Sequence, residues 1–128
     1  MAMTEKRKQV LIIEDEKDLR QFSTWLLEAE GYKVIQAADG DEGLKVARQY
    51  QPDLVLLDIR LPESDAWTVL EEIKNTPELA DIPVVIFTAS ADISYQSKAI
   101  EMGAADYLVK PISAENLVKC VTRVIKKG

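Results

Sequence analysis

The sequence predicts a doubly wound α/β fold of three layers, in which five parallel strands form one sheet and five helices cover its two faces. Three observations carry this reading. Short β-rich apolar runs recur five times along the 128 residues. The stretches between them repeat their apolar residues at helical spacing. Two of the runs, Leu54–Leu57 and Val84–Phe87, are apolar without alternation, as strands covered on both faces are. Regular strand–helix alternation implies parallel pairing through right-handed crossovers.

Each element has its own signal. The first strand is Val10–Ile13, and a helix follows in which Leu19, Phe22, Leu26 and Ala29 share one face before a stop near Gly31. Val34–Ala37 reads as the second strand. The turn at Asp39-Gly40 then leads into a helix marked by Leu44, Val46 and Ala47. After the third strand, Leu54–Leu57, the residues Val69, Leu70 and Ile73 mark a helix that ends before Pro77. The fourth strand, Val84–Thr88, precedes a helix carrying Ala99, Ile100 and Met102 and closed by Gly103. Tyr107–Val109 is the fifth strand. Leu117, Val121, Val124 and Ile125 line the last helix, with Ser113 as its N-cap.

Composition narrows the function classes. The length suits one domain, and no repeat or low-complexity linker divides it. The longest apolar runs are far too short to cross a bilayer, so a cytoplasmic protein without a membrane partner is expected. The net charge of −6 argues against nucleic acid as a direct partner. With no histidine, imidazole-based acid–base or triad chemistry is impossible, and zinc loses its commonest non-thiol ligand. The single cysteine, Cys120, excludes an internal disulfide and sits in the apolar pattern of the last helix, where a buried core residue is expected.

In doubly wound folds, ligands sit outside the carboxyl ends of the strands. Here the first strand ends in Glu14-Asp15-Glu16, the third in Asp58, the fourth in Thr88 and the fifth in Lys110-Pro111. Taken singly, each has a plain explanation as a solvated loop acid, a helix cap or a strand terminator. Jointly they describe one site. Carboxylates ~4 Å apart repel by about 4 kcal/mol at an effective dielectric near 20, so three at one partly buried edge must be protonated or neutralised, and an all-oxygen cluster favours a hard cation. The formal −3 of Glu14, Asp15 and Asp58 is matched by one Mg²⁺ and the Lys110 ammonium.

These residues lie in four ordered motifs: Val10-Leu-Ile-Ile-Glu-Asp-Glu16, Pro52-Asp-Leu-Val-Leu-Leu-Asp-Ile-Arg-Leu-Pro62, Val84-Val-Ile-Phe-Thr-Ala89 and Gly103-Ala-Ala-Asp-Tyr-Leu-Val-Lys-Pro111. Together they resemble the receiver domain of two-component response regulators, over about Gln9 to Lys127. The resemblance implies the flavodoxin-like, CheY-like version of the fold, with a flexible tail over residues 1–8 and the receiver domain over 9–128. It implies that Asp58 accepts a phosphoryl group from a histidine kinase or phosphotransfer protein, and that the chain catalyses only its own phosphorylation and dephosphorylation. Asp15 matches the direct Mg²⁺ ligand, Glu14 the second acid, and Arg60 the residue whose backbone carbonyl completes the protein ligands. Thr88 corresponds to the hydroxyl that turns toward the phosphoryl group, Lys110 to the lysine that pairs with it, and Tyr107 to an aromatic switch that swings inward. A cis Lys110–Pro111 bond is also implied.

Output to a protein partner, or to a second copy, is expected through the fourth helix, fifth strand and fifth helix, where Lys98, Glu101, Lys119 and Arg123 lie. Asp65-Ala66 departs from the family's usual Asp-Gly, so a reshaped or slightly strained turn is expected there. Three rivals fit less well, one of them a degenerate receiver used only for docking, against which the intact Glu14, Asp15, Asp58, Thr88 and Lys110 count. A dehalogenase-like phosphatase wants an acid where Arg60 stands. A flavodoxin-like electron carrier would place its phosphate against Glu14-Asp15-Glu16, which would repel it.

Overall fold

The computed structural model describes residues 7–58, 66–89 and 93–127. The elements run β1 (Gln9–Ile13), α1 (Lys17–Ala29), β2 (Lys33–Ala37), α2 (Gly40–Tyr50), β3 (Leu54–Leu57), α3 (Ala66–Asn75), β4 (Val84–Thr88), α4 (Ile93–Glu101), β5 (Asp106–Val109) and α5 (Ala114–Lys127). All strands pair in parallel in the order β2-β1-β3-β4-β5. This is the predicted doubly wound sheet. The order reverses between β1 and β3, which opens a crevice at their carboxyl ends.

Strand alternation divides the core into two layers. Leu11, Ile13, Val55, Leu57, Val84 and Ile86 point to the face covered by α2, α3 and α4. Val10, Ile12, Leu54, Leu56, Val85 and Phe87 point to the face covered by α1 and α5. β3 and β4 are buried throughout, as their unbroken apolar runs require.

Local chemistry sets the helix ends. Asp39 caps α2 by accepting from the Glu42 amide at 2.8 Å, while the Glu42 carboxylate accepts from the Ala38 amide at 2.9 Å. The predicted Ser113 cap of α5 is present, its Oγ accepting from the Asn116 amide at 3.1 Å. Gly31 and Gly103, with φ of 96° and 100°, close α1 and α4 in the left-handed region. Gln51 ends α2 in that region as well (φ 46°), since the following Pro52 disfavours helical geometry for it.

The structure bears on three of these expectations. The apolar stripe of α1 meets the sheet-side core only in part, through Leu26. Ser23, Thr24 and Leu27 are buried, whereas Phe22 is half exposed and Trp25 is exposed. Thr24 tolerates burial because its hydroxyl donates to the Arg20 carbonyl at 2.8 Å. Ala66 opens α3 and is buried in the core, while Asp65 and the turn before it lie outside the described residues. Of the expected tail, residues 1–6 lie outside the described residues, and Lys8 is tied to β2 by a 2.9 Å bond from the Lys33 amide.

Candidate functional site

The parallel ladder assembles the site. Ile13 lies opposite Leu57, and the next residue, Asp58, donates its amide to the Ile13 carbonyl at 3.1 Å. Glu14 and Asp58 therefore leave neighbouring strands at the same level. On the other side, Thr88 lies opposite Val109, and the Lys110 amide donates to the Thr88 carbonyl at 2.8 Å. The Lys110–Pro111 peptide bond is cis.

Glu14, Asp15 and Asp58 each offer a carboxylate oxygen within 4.8 Å of the other two. Mg²⁺ holds oxygens at about 2.1 Å, so ligands on opposite sides of it stand roughly 4.2 Å apart. Small side-chain rotations would bring the three oxygens to such an ion. The donor set, all oxygen and all anionic, suits a hard divalent cation. Arg60, whose carbonyl the family resemblance adds to this set, lies outside the described residues.

Lys110 is the cation that the fold itself supplies. Its Nζ donates to Glu14 Oε1 at 2.7 Å and to Asp58 Oδ2 at 3.2 Å. It also sits 5.1 Å from the centre of the Phe87 ring. Glu14 and Asp58 are both buried, while Asp15 is exposed. Burial pushes the Glu14 carboxyl up from 4.5 to about 7. The Lys110 hydrogen bond and charge oppose the rise, and the Asp58 charge adds to it.

Thr88 is buried, its side chain on the same sheet face as Ile86. Tyr107 lies opposite Ile86 on β5 and is buried in the layer beneath α4. A switch through Tyr107 would therefore begin from an inward side chain. The charges expected on the output face are largely engaged within the chain. Lys98 Nζ stands 4.6 Å from the Trp67 ring centre, Lys119 pairs with Glu115 at 3.6 Å, and Arg123 pairs with Asp106.

Sequence reasoning passed over two features. Arg20, in α1, donates from Nη1 to the Glu14 carbonyl at 2.7 Å and from Nε to Gln36 Oε1 at 3.1 Å. Its signal was a cation in the first turns of a helix, where the dipole favours acids. The second is an apolar groove of about 450 Å³ between α1 and the start of α5, lined by Leu19, Phe22, Leu26, Phe87, Lys110 and Ile112 among others. Its signal was the apolar face of α1 that the sheet does not bury.

The family model described as response regulator receiver domain matches residues 10–122. The chain belongs to that family. This receiver domain is 37% identical over 119 residues to the DNA-binding dual master transcriptional regulator RpaA of Synechocystis sp., covering 93% of this chain and 49% of the relative. The chain spans about half the length of the curated relatives it matches. Chemotaxis response regulator CheY4 of Vibrio cholerae superposes with a TM-score of 0.87 at 27% identity, covering 93% of this receiver domain and 99% of CheY4. A CheY-like receiver domain protein of Methanospirillum hungatei superposes with a TM-score of 0.88 at 27% identity, covering 95% and 96%. Among the described residues of this receiver domain, no helix is long and apolar enough to cross a membrane.

Proposed function

We propose that this receiver domain takes a phosphoryl group on Asp58 from a histidine kinase or phosphotransfer protein, in a Mg²⁺-dependent reaction, and changes conformation to signal onward. The observation that carries the reading is the single Lys110 ammonium held between Glu14 and Asp58, beside three carboxylates close enough to share one ion.

An Asp58 oxygen attacks the donor's phosphorus, an acyl phosphate bond forms, and the bond to the donor breaks with its electron pair leaving on the donor. A carboxylate is a weak nucleophile, so alignment and charge neutralisation carry the rate. Mg²⁺, held by Glu14, Asp15, Asp58 and the Arg60 carbonyl, would offset charge on the transferring group. Lys110 stands within reach of Asp58 to pair with a phosphoryl oxygen there. Thr88 supplies a hydroxyl on the neighbouring strand end that can donate to another. The protein is consumed as acceptor and regenerated by hydrolysis, so it acts on itself alone.

The groove beside α1 suits the donor's approach, because Lys110 belongs both to it and to the site. The output side is the face of α4, β5 and α5. In α4 Ala99 is buried, while Ile93, Tyr95 and Ile100 are exposed, as is Val109 of β5. So lightly anchored a helix can be repacked at small cost. A partner, or a second copy, should bind the activated form more tightly, with a coupling of about 1–3 kcal/mol.

Intact mass after incubation with acetyl phosphate and Mg²⁺ tests the acceptor. One phosphoryl group is expected, absent in Asp58→Asn and suppressed by excess EDTA. Persistence of the modification in Asp58→Asn refutes the assignment. Hydrogen exchange with and without beryllofluoride tests the output face, where α4 and β5 should respond.

A further inference from the structure

Asp15 presents a geometric problem that its own side chain does not solve. It is exposed, and no hydrogen bond to its carboxylate occurs among the described residues. Yet an oxygen of that carboxylate lies within 4.8 Å of those of Glu14 and Asp58. Its direction must come from the backbone.

The turn that carries Asp15 is fixed from several sides. The Glu14 amide donates to the Ala37 carbonyl of β2 at 3.0 Å. The Glu16 amide donates to Glu14 Oε2 at 3.2 Å. The Glu14 carbonyl, which belongs to the peptide unit joining Glu14 to Asp15, accepts from Arg20 Nη1 at 2.7 Å. A peptide unit is planar, so fixing its carbonyl also fixes the Asp15 amide and the exit from its Cα. Arg20 is itself braced, since its Nε donates to Gln36 Oε1 at 3.1 Å on the edge strand β2. The rigid guanidinium thus links α1, the acidic turn and the sheet edge through two separate nitrogens, a geometry suited to a fork of donors rather than a point charge.

We propose that Arg20, braced by Gln36, is a positioning residue for the metal site, holding the Glu14–Asp15 peptide so that the Asp15 carboxylate converges with those of Glu14 and Asp58. This rests on the reading of that cluster as a Mg²⁺ site. The sign of the effect separates the role from simple electrostatics. A guanidinium near a dication repels it, so removing the charge alone would tighten Mg²⁺ binding. Removing a brace that orients a ligand would weaken it.

The test is calorimetric titration of the full chain with Mg²⁺, in wild type, Arg20→Met, Arg20→Lys, Gln36→Leu and Asp15→Asn. Arg20→Met should weaken Mg²⁺ binding about tenfold, the low end of what losing a partner behind a metal ligand costs. Arg20→Lys, which keeps one donor, should recover part of the loss, and Gln36→Leu should fall between. In EDTA, hydrogen exchange of Arg20→Met should speed at the Glu16 amide and stay unchanged in β3 and β4. Unchanged or tighter Mg²⁺ binding in Arg20→Met overturns the proposal. If that variant does not fold, unchanged binding in both Arg20→Lys and Gln36→Leu overturns it. Should Asp15→Asn weaken binding while the Arg20 and Gln36 variants do not, the metal site stands and only the positioning role falls. A wild type that takes up no Mg²⁺ refutes the site reading, and this role with it.

Discussion

Glu14→Gln should stabilise the metal-free protein at neutral and alkaline pH while weakening its hold on Mg²⁺. Glu14 is 3% exposed, and burial raises its carboxyl from 4.5 in the unfolded chain to about 7 in the folded one. Between those values the folded protein holds a proton that the unfolded chain has released, so stability falls as pH rises. The contribution is fully present below 4.5 and lost once pH passes 7. A rise of about 2.5 units at 1.36 kcal/mol per unit amounts to about 3 kcal/mol. Glutamine cannot ionise, so its stability curve should lack this fall. The difference between variant and wild type should therefore grow by about 3 kcal/mol from pH 4.5 to 8. Urea unfolding in EDTA across that range measures it. Mg²⁺ should narrow the gap, since a ligand at a hundred times its Kd stabilises by about 2.7 kcal/mol and the wild type binds it better. Parallel stability curves for the two proteins in EDTA would refute the reasoning.

Three further outcomes follow from the same geometry. Leu27→Ala should cost about 3 kcal/mol in urea unfolding because Leu27 is fully buried, whereas Phe22→Ala, at 50% exposure, should cost well under half of that. Lys110→Ala should bind Mg²⁺ at least as tightly as wild type, with one competing cation gone, yet take phosphate from acetyl phosphate about 100-fold more slowly, as intact mass against time will show. Cys120, whose thiol burial and the neighbouring Asp106 push up to about 12, should resist a thiol reagent at pH 8 in the folded protein and react at once in denaturant.

The parts of the fold legible in the sequence are those where burial is total or a cap is local. β3 and β4 are covered on both faces, so hydrophobicity alone marks them. The Ser113 cap depends only on residues three apart. The packing face of α1 was not legible for a specific reason. A helix lying close on a sheet wants small residues at the contact, and Ser23 and Thr24 supply them, with the Thr24 hydroxyl satisfied inside its own helix. The larger apolar residues Leu19, Phe22 and Leu26 line the groove beside the site, Leu26 also touching the core. A hydrophobic pattern reports that a face avoids water, not what covers it.

The site divides along the same line. The strand ends alone place Glu14, Asp58, Thr88 and Lys110 at one edge, because a parallel sheet brings its carboxyl ends together whatever the side chains are. What the sequence could not give is how far long side chains reach across that edge. Lys110 lies closer to Glu14 than to Asp58, and Arg20 turns back from α1 to the Glu14 carbonyl. Both contacts join residues in different elements, with orientations set by packing rather than by sequence spacing. Both also act on the residue that burial makes reluctant to ionise. The edge therefore carries strain that a dication would relieve. Mg²⁺ should therefore stabilise the protein through Glu14, the carboxylate whose burial costs stability on its own, and Glu14→Gln should lessen both effects together.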